Sequence, residues 1–119
     1  MARSIQHVVA FDDSSIKPAE TVTSDPVAVD RPYRAQSWRY YERPEVGALA
    51  GVWEAEAHLE RIACDYDELC HLLEGTVRLT DAKGVSRTFG PGDSFIVSAG
   101  FHGAWENLTH ARKVFFILR

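Results

Sequence analysis

The chain has 119 residues, 45% hydrophobic and 25% charged, with 17 acidic and 13 basic side chains for a formal net charge of −4. That length supports one domain with a core that needs no covalent staples, because halves of it would be too small to bury enough surface. The mixed, mildly acidic charge argues against a nucleic-acid surface. Two cysteines do not make a disulfide framework, and no apolar run reaches the roughly 18 residues of a membrane span.

The opening stretch MARSIQHVVAFDDSS has no apolar run of useful length for a secretory leader, so a cytoplasmic protein with reduced thiols is expected. Residues 12–36 are polar and carry Pro18, Pro26 and Pro32, which favour extended backbone. Residues 1–36 therefore read as an extended arm, lying over the domain or onto a partner subunit, or equally as a loosely ordered tail. The folded domain is expected over residues 37–119.

The middle of the chain, VWEAEAHLERIACDYDELCHLLEG, sends two signals at once. It is rich in Ala, Glu and Leu, with Leu69, Leu72 and Leu73 at helical spacing. Asp65 followed by Glu68 imitates a capping box, and Gly75 could end a helix. The same residues also read as strands, because the segment runs into GTVRLTD with only Gly75 and Thr76 between. Periodicity does not separate the two readings.

The remainder alternates as strands. Val77 and Leu79 oppose Arg78 and Thr80, the period of a half-buried strand. DAKG then reads as a hairpin loop. VSRTF, the turn GPGD, SFIVS, the turn AGFHG, AWENLT and KVFFILR follow. Short strands at near-regular spacing indicate an all-β sandwich or barrel. The apolar last strand suits a central position better than an exposed edge.

The segments VWEAEAHLE, YDELCHLLEGTVRLTDAKG, FGPGDSFIVSAGFHGAWENL and ARKVFF, in that order, resemble a cupin. The resemblance is nearest to the subfamily named for the ureidoglycine aminohydrolase cupin domain, in the RmlC-like group. It implies a double-stranded β-helix, or jelly-roll barrel, with residues 66–74 in a strand. Cupins carry a first motif Gly-x5-His-x-His-x3,4-Glu-x6-Gly and a second, Gly-x5-Pro-x-Gly-x2-His-x3-Asn. Against these, Glu68 and Gly75 match the end of the first motif, and Gly92, Gly100 and Asn107 match the second. The upstream histidine positions hold Arg61 and Ala63, or Ile62 and Cys64 with the shorter spacer. Ser98 stands at the proline position and Gly103 at the histidine position, with His102 one residue early.

A shift of one residue turns a strand side chain to the other face, so His102 points away from the barrel unless a bulge at Gly100 or Gly103 re-aims it. A divalent metal needs three or four converging ligands. Glu68, Cys64 and His102 are the candidates here, an incomplete set, so no cofactor is expected; the reserve reading is one Mn, Zn, Fe or Ni ion. Glu68 is the leading catalytic candidate, as a general acid or base or as a polar anchor. Its charge calls for a cation nearby, Lys113 or Arg61.

Trp53, Tyr66, Cys70 and Trp105 are the candidate pocket residues, although core packing alone accounts for each one singly. His71 is expected on the outer sheet face, and His7, His58 and His110 in solvent or capping roles. The expected function is binding, with a chemical step open, of a small polar metabolite around Glu68, without nucleic-acid or membrane partners and as a homodimer. The alternatives are a metal-dependent enzyme resembling ureidoglycine aminohydrolase and a non-enzymatic sensor or accessory domain.

Overall fold

Turn residues divide the alternating segments into ten strands, joined through one 3₁₀ turn, in the computed structural model, which describes residues 5–119. The strands are β1 (Ala19–Thr23), β2 (Tyr33–Arg43), β3 (Ala48–Ala55), β4 (His58–Ala63), β5 (Asp67–Glu74), β6 (Val77–Asp81), β7 (Ser86–Phe89), β8 (Ser94–Val97), β9 (His102–Asn107) and β10 (Ala111–Leu118). They form a six-stranded sheet in the order β1-β2-β3-β10-β5-β8 and a four-stranded sheet in the order β4-β9-β6-β7. The pairings within both sheets are antiparallel. The all-β jelly-roll expectation holds.

The ambiguous middle segment is strand. β5 lies between β10 and β8, so hydrogen bonding on both edges outweighs the helix propensity of its Leu and Glu residues. Strand alternation places Glu68, Cys70 and Leu72 inward, where all three are buried. Leu69 and Leu73, which suggested a helix face, lie on the outer side. Leu69 pairs with Phe116 on one side and Ile96 on the other, giving an exposed apolar row across β10, β5 and β8.

As expected for an apolar strand, β10 is interior, between β3 and β5. The DAKG loop closes the β6–β7 hairpin, with the Asp81 carboxylate accepting from the backbone of Lys83 and Val85. The expected turn AGFHG is shorter than proposed: His102 and Gly103 already belong to β9.

The arm is partly sheet. β1 pairs with β2 along its whole length, and β2 itself starts at Tyr33, inside the stretch assigned to the arm. Arg61 fastens the chain between them: its guanidinium donates to the carbonyls of Pro26 and Val27 and to Asp30. Arg61 is thus turned outward and committed to the arm, which leaves Lys113 as the inward cation. Val29, Tyr33, Ala35 and Ala55 make a small second core beneath this arm, next to the main core around Cys70, Leu72, Val77 and Trp105. Residues 1–4 of the proposed arm lie outside the described residues. No helix among the described residues is long and apolar enough to cross a membrane.

Candidate functional site

A cavity of about 230 Å³ lies between the two sheets. β5 contributes Glu68 to its wall, β10 contributes Lys113, and β3 and β9 contribute Trp53 and Trp105. These positions follow from register. Lys113 lies opposite Trp53 on β3 and Leu72 on β5, and all three face inward. Cys64 and Tyr66, on the link between β4 and β5, also line the cavity.

The polar centre is an ion pair. Lys113 Nζ donates to Glu68 Oε2 at 2.9 Å, with both side chains almost fully buried. The same ammonium lies 4.7 Å from the Trp53 ring centre and 4.1 Å from that of Trp105, cation–π distances to two indoles that pack edge-on to each other. Cys70 Sγ is 3.8 Å away.

Burial alone would push the proton off Lys113, but Cys70 and Glu68 outweigh it and hold the pKa above the ordinary lysine value. Burial raises the Cys70 thiol to about 12. That thiol keeps its proton, so the Glu68 carboxylate is the anion that retains the ammonium. Burial, followed by the charge of Glu68, also raises Cys64 and Tyr66. Neither thiol is a ready nucleophile.

Glu60 reaches the cavity from β4. Tyr33 donates its hydroxyl to Glu60 Oε2 at 2.9 Å, and Glu60 Oε1 lies 3.7 Å from His58 Nε2. His58 corrects the expectation of a solvated or capping residue: its side chain is only 4% exposed and stacks on Tyr33 with ring centres 3.5 Å apart. The alternating pattern of β4 buries His58 because the arm folds over it. His58 Nδ1 faces the Glu56 carbonyl at 2.8 Å, and a carbonyl only accepts, so Nδ1 carries the proton. His58 Nε2 is buried without a hydrogen-bond partner. His110 is exposed beside Glu54, and His71 bonds the Ser94 hydroxyl on the outer side of β5, as expected.

The candidate residues therefore divide. Glu68, Cys64, Tyr66, Trp53 and Trp105 meet around one cavity. Cys70 is wholly buried behind Lys113 and is packing rather than wall. His102 is exposed and stays outside the cavity. The β4–β9 register runs without a bulge from His58↔Asn107 to Ala63↔His102, so nothing re-aims the imidazole.

Gly103, at the position of the cupin histidine, faces inward, but a Cβ there would collide with the Thr80 carbonyl oxygen. Of the two spacer registers, the one naming Ile62 and Cys64 faces the cavity. The four positions that surround a cupin metal thus hold Ile62, Cys64, Glu68 and Gly103. Among the described residues no group of three or more His, Cys, Asp or Glu side chains gathers as a metal site. The carboxylate among these four positions, Glu68, is already paired with the Lys113 ammonium, whose charge repels a second cation. This donor set does not fit a divalent metal.

In the sequence Lys113 stands out only as one of two possible cation partners of Glu68. Its signal was a charge beside Arg112 at the start of an otherwise apolar strand. Glu60 and Arg39, both on the cavity wall, gave no local signal.

No curated protein matches this sequence significantly. Among solved structures, the chain is similar to a protein of unknown function of the DUF861 family from Pseudomonas syringae (TM-score 0.76, 22% identity, covering 86% of this chain and 43% of that one). It is also similar to the EutQ protein of Clostridium difficile (TM-score 0.64, 15% identity, 72% of this chain and 63% of that one). A third similarity is to a DUF861 family protein of Thermotoga maritima (TM-score 0.52, 30% identity, 54% and 73%). The chain spans less than two thirds of the length of the first two. The sequence pattern of the EutQ-like cupin domain matches residues 43–115, from the end of β2 into β10 and so across most of the cavity wall. Matched over more than half its length, in a barrel whose strands place Glu68 where cupins keep their glutamate, the chain belongs to the EutQ-like cupin domain family.

Proposed function

We propose that this cupin binds a small polar metabolite in the cavity between its sheets, with the Glu68–Lys113 pair, rather than a metal ion, as the polar floor. The observation that carries this reading is the ammonium fixed between a carboxylate and two indoles at a cavity wall. An ion pair removed from water adds little net stability over apolar residues of the same shape, so stability alone gives little reason to keep it. The cavity volume, about 230 Å³, suits a small metabolite. The indoles offer faces for a flat or apolar part of the ligand, while Glu68 and Glu60 offer acceptors.

A metal-dependent activity like that of ureidoglycine aminohydrolase has less support, because all three histidine positions lack an imidazole and Lys113 occupies Glu68. Glu68 is the group through which a proton would be passed to or from a bound ligand, with Lys113 as the neighbouring donor.

A thermal-shift screen against ureides, amino acids and sugars tests the reading. At least one class should raise the melting temperature of the wild type, and the shift should vanish in a Glu68→Leu/Lys113→Met double variant that remains folded. A shift that persisted in the folded double variant would place binding elsewhere.

A further inference from the structure

Arg39 is the last residue of β2 that faces the cavity. Tyr33, Ala35, Ser37 and Arg39 share the inward face, and a β-bulge between Arg39 and Tyr41 then shifts the register against β3. The shift sends Tyr41 to the outer face, where its ring packs 6.4 Å from that of Phe116. In this arrangement the Trp38 carbonyl lies so close over Gly51, the residue paired with Arg39, that a Cβ there would collide with it. A glycine on β3 and an inserted residue on β2 together end the inward run with an arginine on the cavity wall, as bulges beside binding sites often do.

Among the arginines of the described residues Arg31, Arg39 and Arg87 have no carboxylate within ion-pair distance, and of these three Arg39 is the one on the cavity wall. Arg34, Arg43, Arg61, Arg78, Arg112 and Arg119 each lie within ion-pair distance of a carboxylate. Arg39 has no such partner among the described residues and is exposed at the solvent end, whereas Lys113 at the inner end is buried and already paired. The hydroxyl of Tyr33 occupies only one oxygen of Glu60.

We propose that the ligand is a small carboxylate carrying a hydroxyl or amine, with Arg39 as its specificity-determining residue. The guanidinium fork takes the carboxylate at the solvent end. The hydroxyl or amine donates to Glu60 or Glu68 further in. This inference rests on the cavity being the ligand site.

Calorimetric titration with four three-carbon probes tests it: lactate, alanine, propanoate and 1-aminopropan-2-ol. Lactate or alanine should bind, propanoate more weakly, and the amino alcohol, which lacks a carboxylate, weakest of all. Arg39→Gln should weaken the carboxylates by roughly 10–100-fold, the scale of a charge-assisted hydrogen bond, and Arg39→Lys should recover part of the loss. The melting temperature of Arg39→Gln should match that of the wild type, because the side chain is exposed and unpaired. Binding of the amino alcohol at least as tight as that of the carboxylates, or unchanged carboxylate affinity in Arg39→Gln, overturns the ligand class and leaves the cavity reading standing. If none of the four probes binds, the carboxylate proposal falls, while the broader screen still decides whether the cavity is a site at all.

Discussion

Lys113 Nζ stands 2.9 Å from Glu68 Oε2 although the two lie on neighbouring strands at different register positions, Lys113 of β10 opposite Leu72 and Glu68 of β5 opposite Ile117, with both side chains withdrawn from water. Each charge is tolerable only because the other is there. Lys113→Met or Glu68→Gln alone leaves the remaining group uncompensated and should cost about 3–5 kcal/mol. The Glu68→Leu/Lys113→Met double variant should recover most of that loss. Urea unfolding of the four proteins measures the cycle, and additive single losses would show that the pair is not coupled.

Stability should fall in alkali. The Cys70 thiol titrates near 9 when unfolded and at about 12 when folded. Lys113 also holds its proton above the ordinary value of 10.5. Above pH 9 the folded state therefore binds more protons than the unfolded state, so stability drops as pH rises, by about 1.4 kcal/mol per pH unit for each retained proton. Below pH 9 neither group contributes a slope. Thermal melts between pH 8 and 11 should show the decline, with the part beginning at pH 9 reduced in Cys70→Ala to what the buried Cys64 thiol, also raised, still contributes. An identical profile in that variant would exclude Cys70 as the source.

Restoring the cupin histidine at its own position should fail. Gly103→His must displace the Thr80 carbonyl on β6, and overpacking of this kind costs about 1–3 kcal/mol. The variant should melt lower than the wild type and show no added uptake of Zn or Ni by elemental analysis after dialysis against the metal. A stable, metal-loaded Gly103→His protein would show that the backbone gives way and that the donor set had been misjudged.

The buried His58 should tolerate loss of its nitrogens. His58→Phe keeps the stack on Tyr33, gives up one hydrogen bond to Glu56, and removes an unpaired buried Nε2 whose desolvation is itself unfavourable by about 1–3 kcal/mol. The two effects nearly cancel, so denaturant unfolding should shift by less than about 1 kcal/mol. A large loss would mean that Nε2 has a partner, with Glu60 Oε1, at 3.7 Å, the carboxylate oxygen beside it.

Alternation and turn residues indicated an all-β sandwich or barrel with an interior last strand, and the resemblance to cupins added the strand over residues 66–74 whose parity turns Glu68 inward. Parity also turned His102 outward, a conclusion the unbroken β4–β9 register upholds. It left open whether residues 66–74 were helix or strand. That was decided by β10 and β8, which pair with β5 from distant parts of the chain, and only the folded sheet supplies those hydrogen bonds.

The cavity's charges were legible one at a time and not as a set. Arg61 and Lys113 were equal candidates to accompany Glu68 in the sequence. Pairing of β10 with β5 brings Lys113 inward, while the arm takes Arg61 for its own carbonyls. Arg39 owes its place to a bulge that fits against a glycine on the next strand, and His58 owes its burial to an arm drawn over it. Local sequence can set which way a side chain points along its own strand. Which charge it meets depends on register between strands far apart in the chain, and that is a property of the packed tertiary structure.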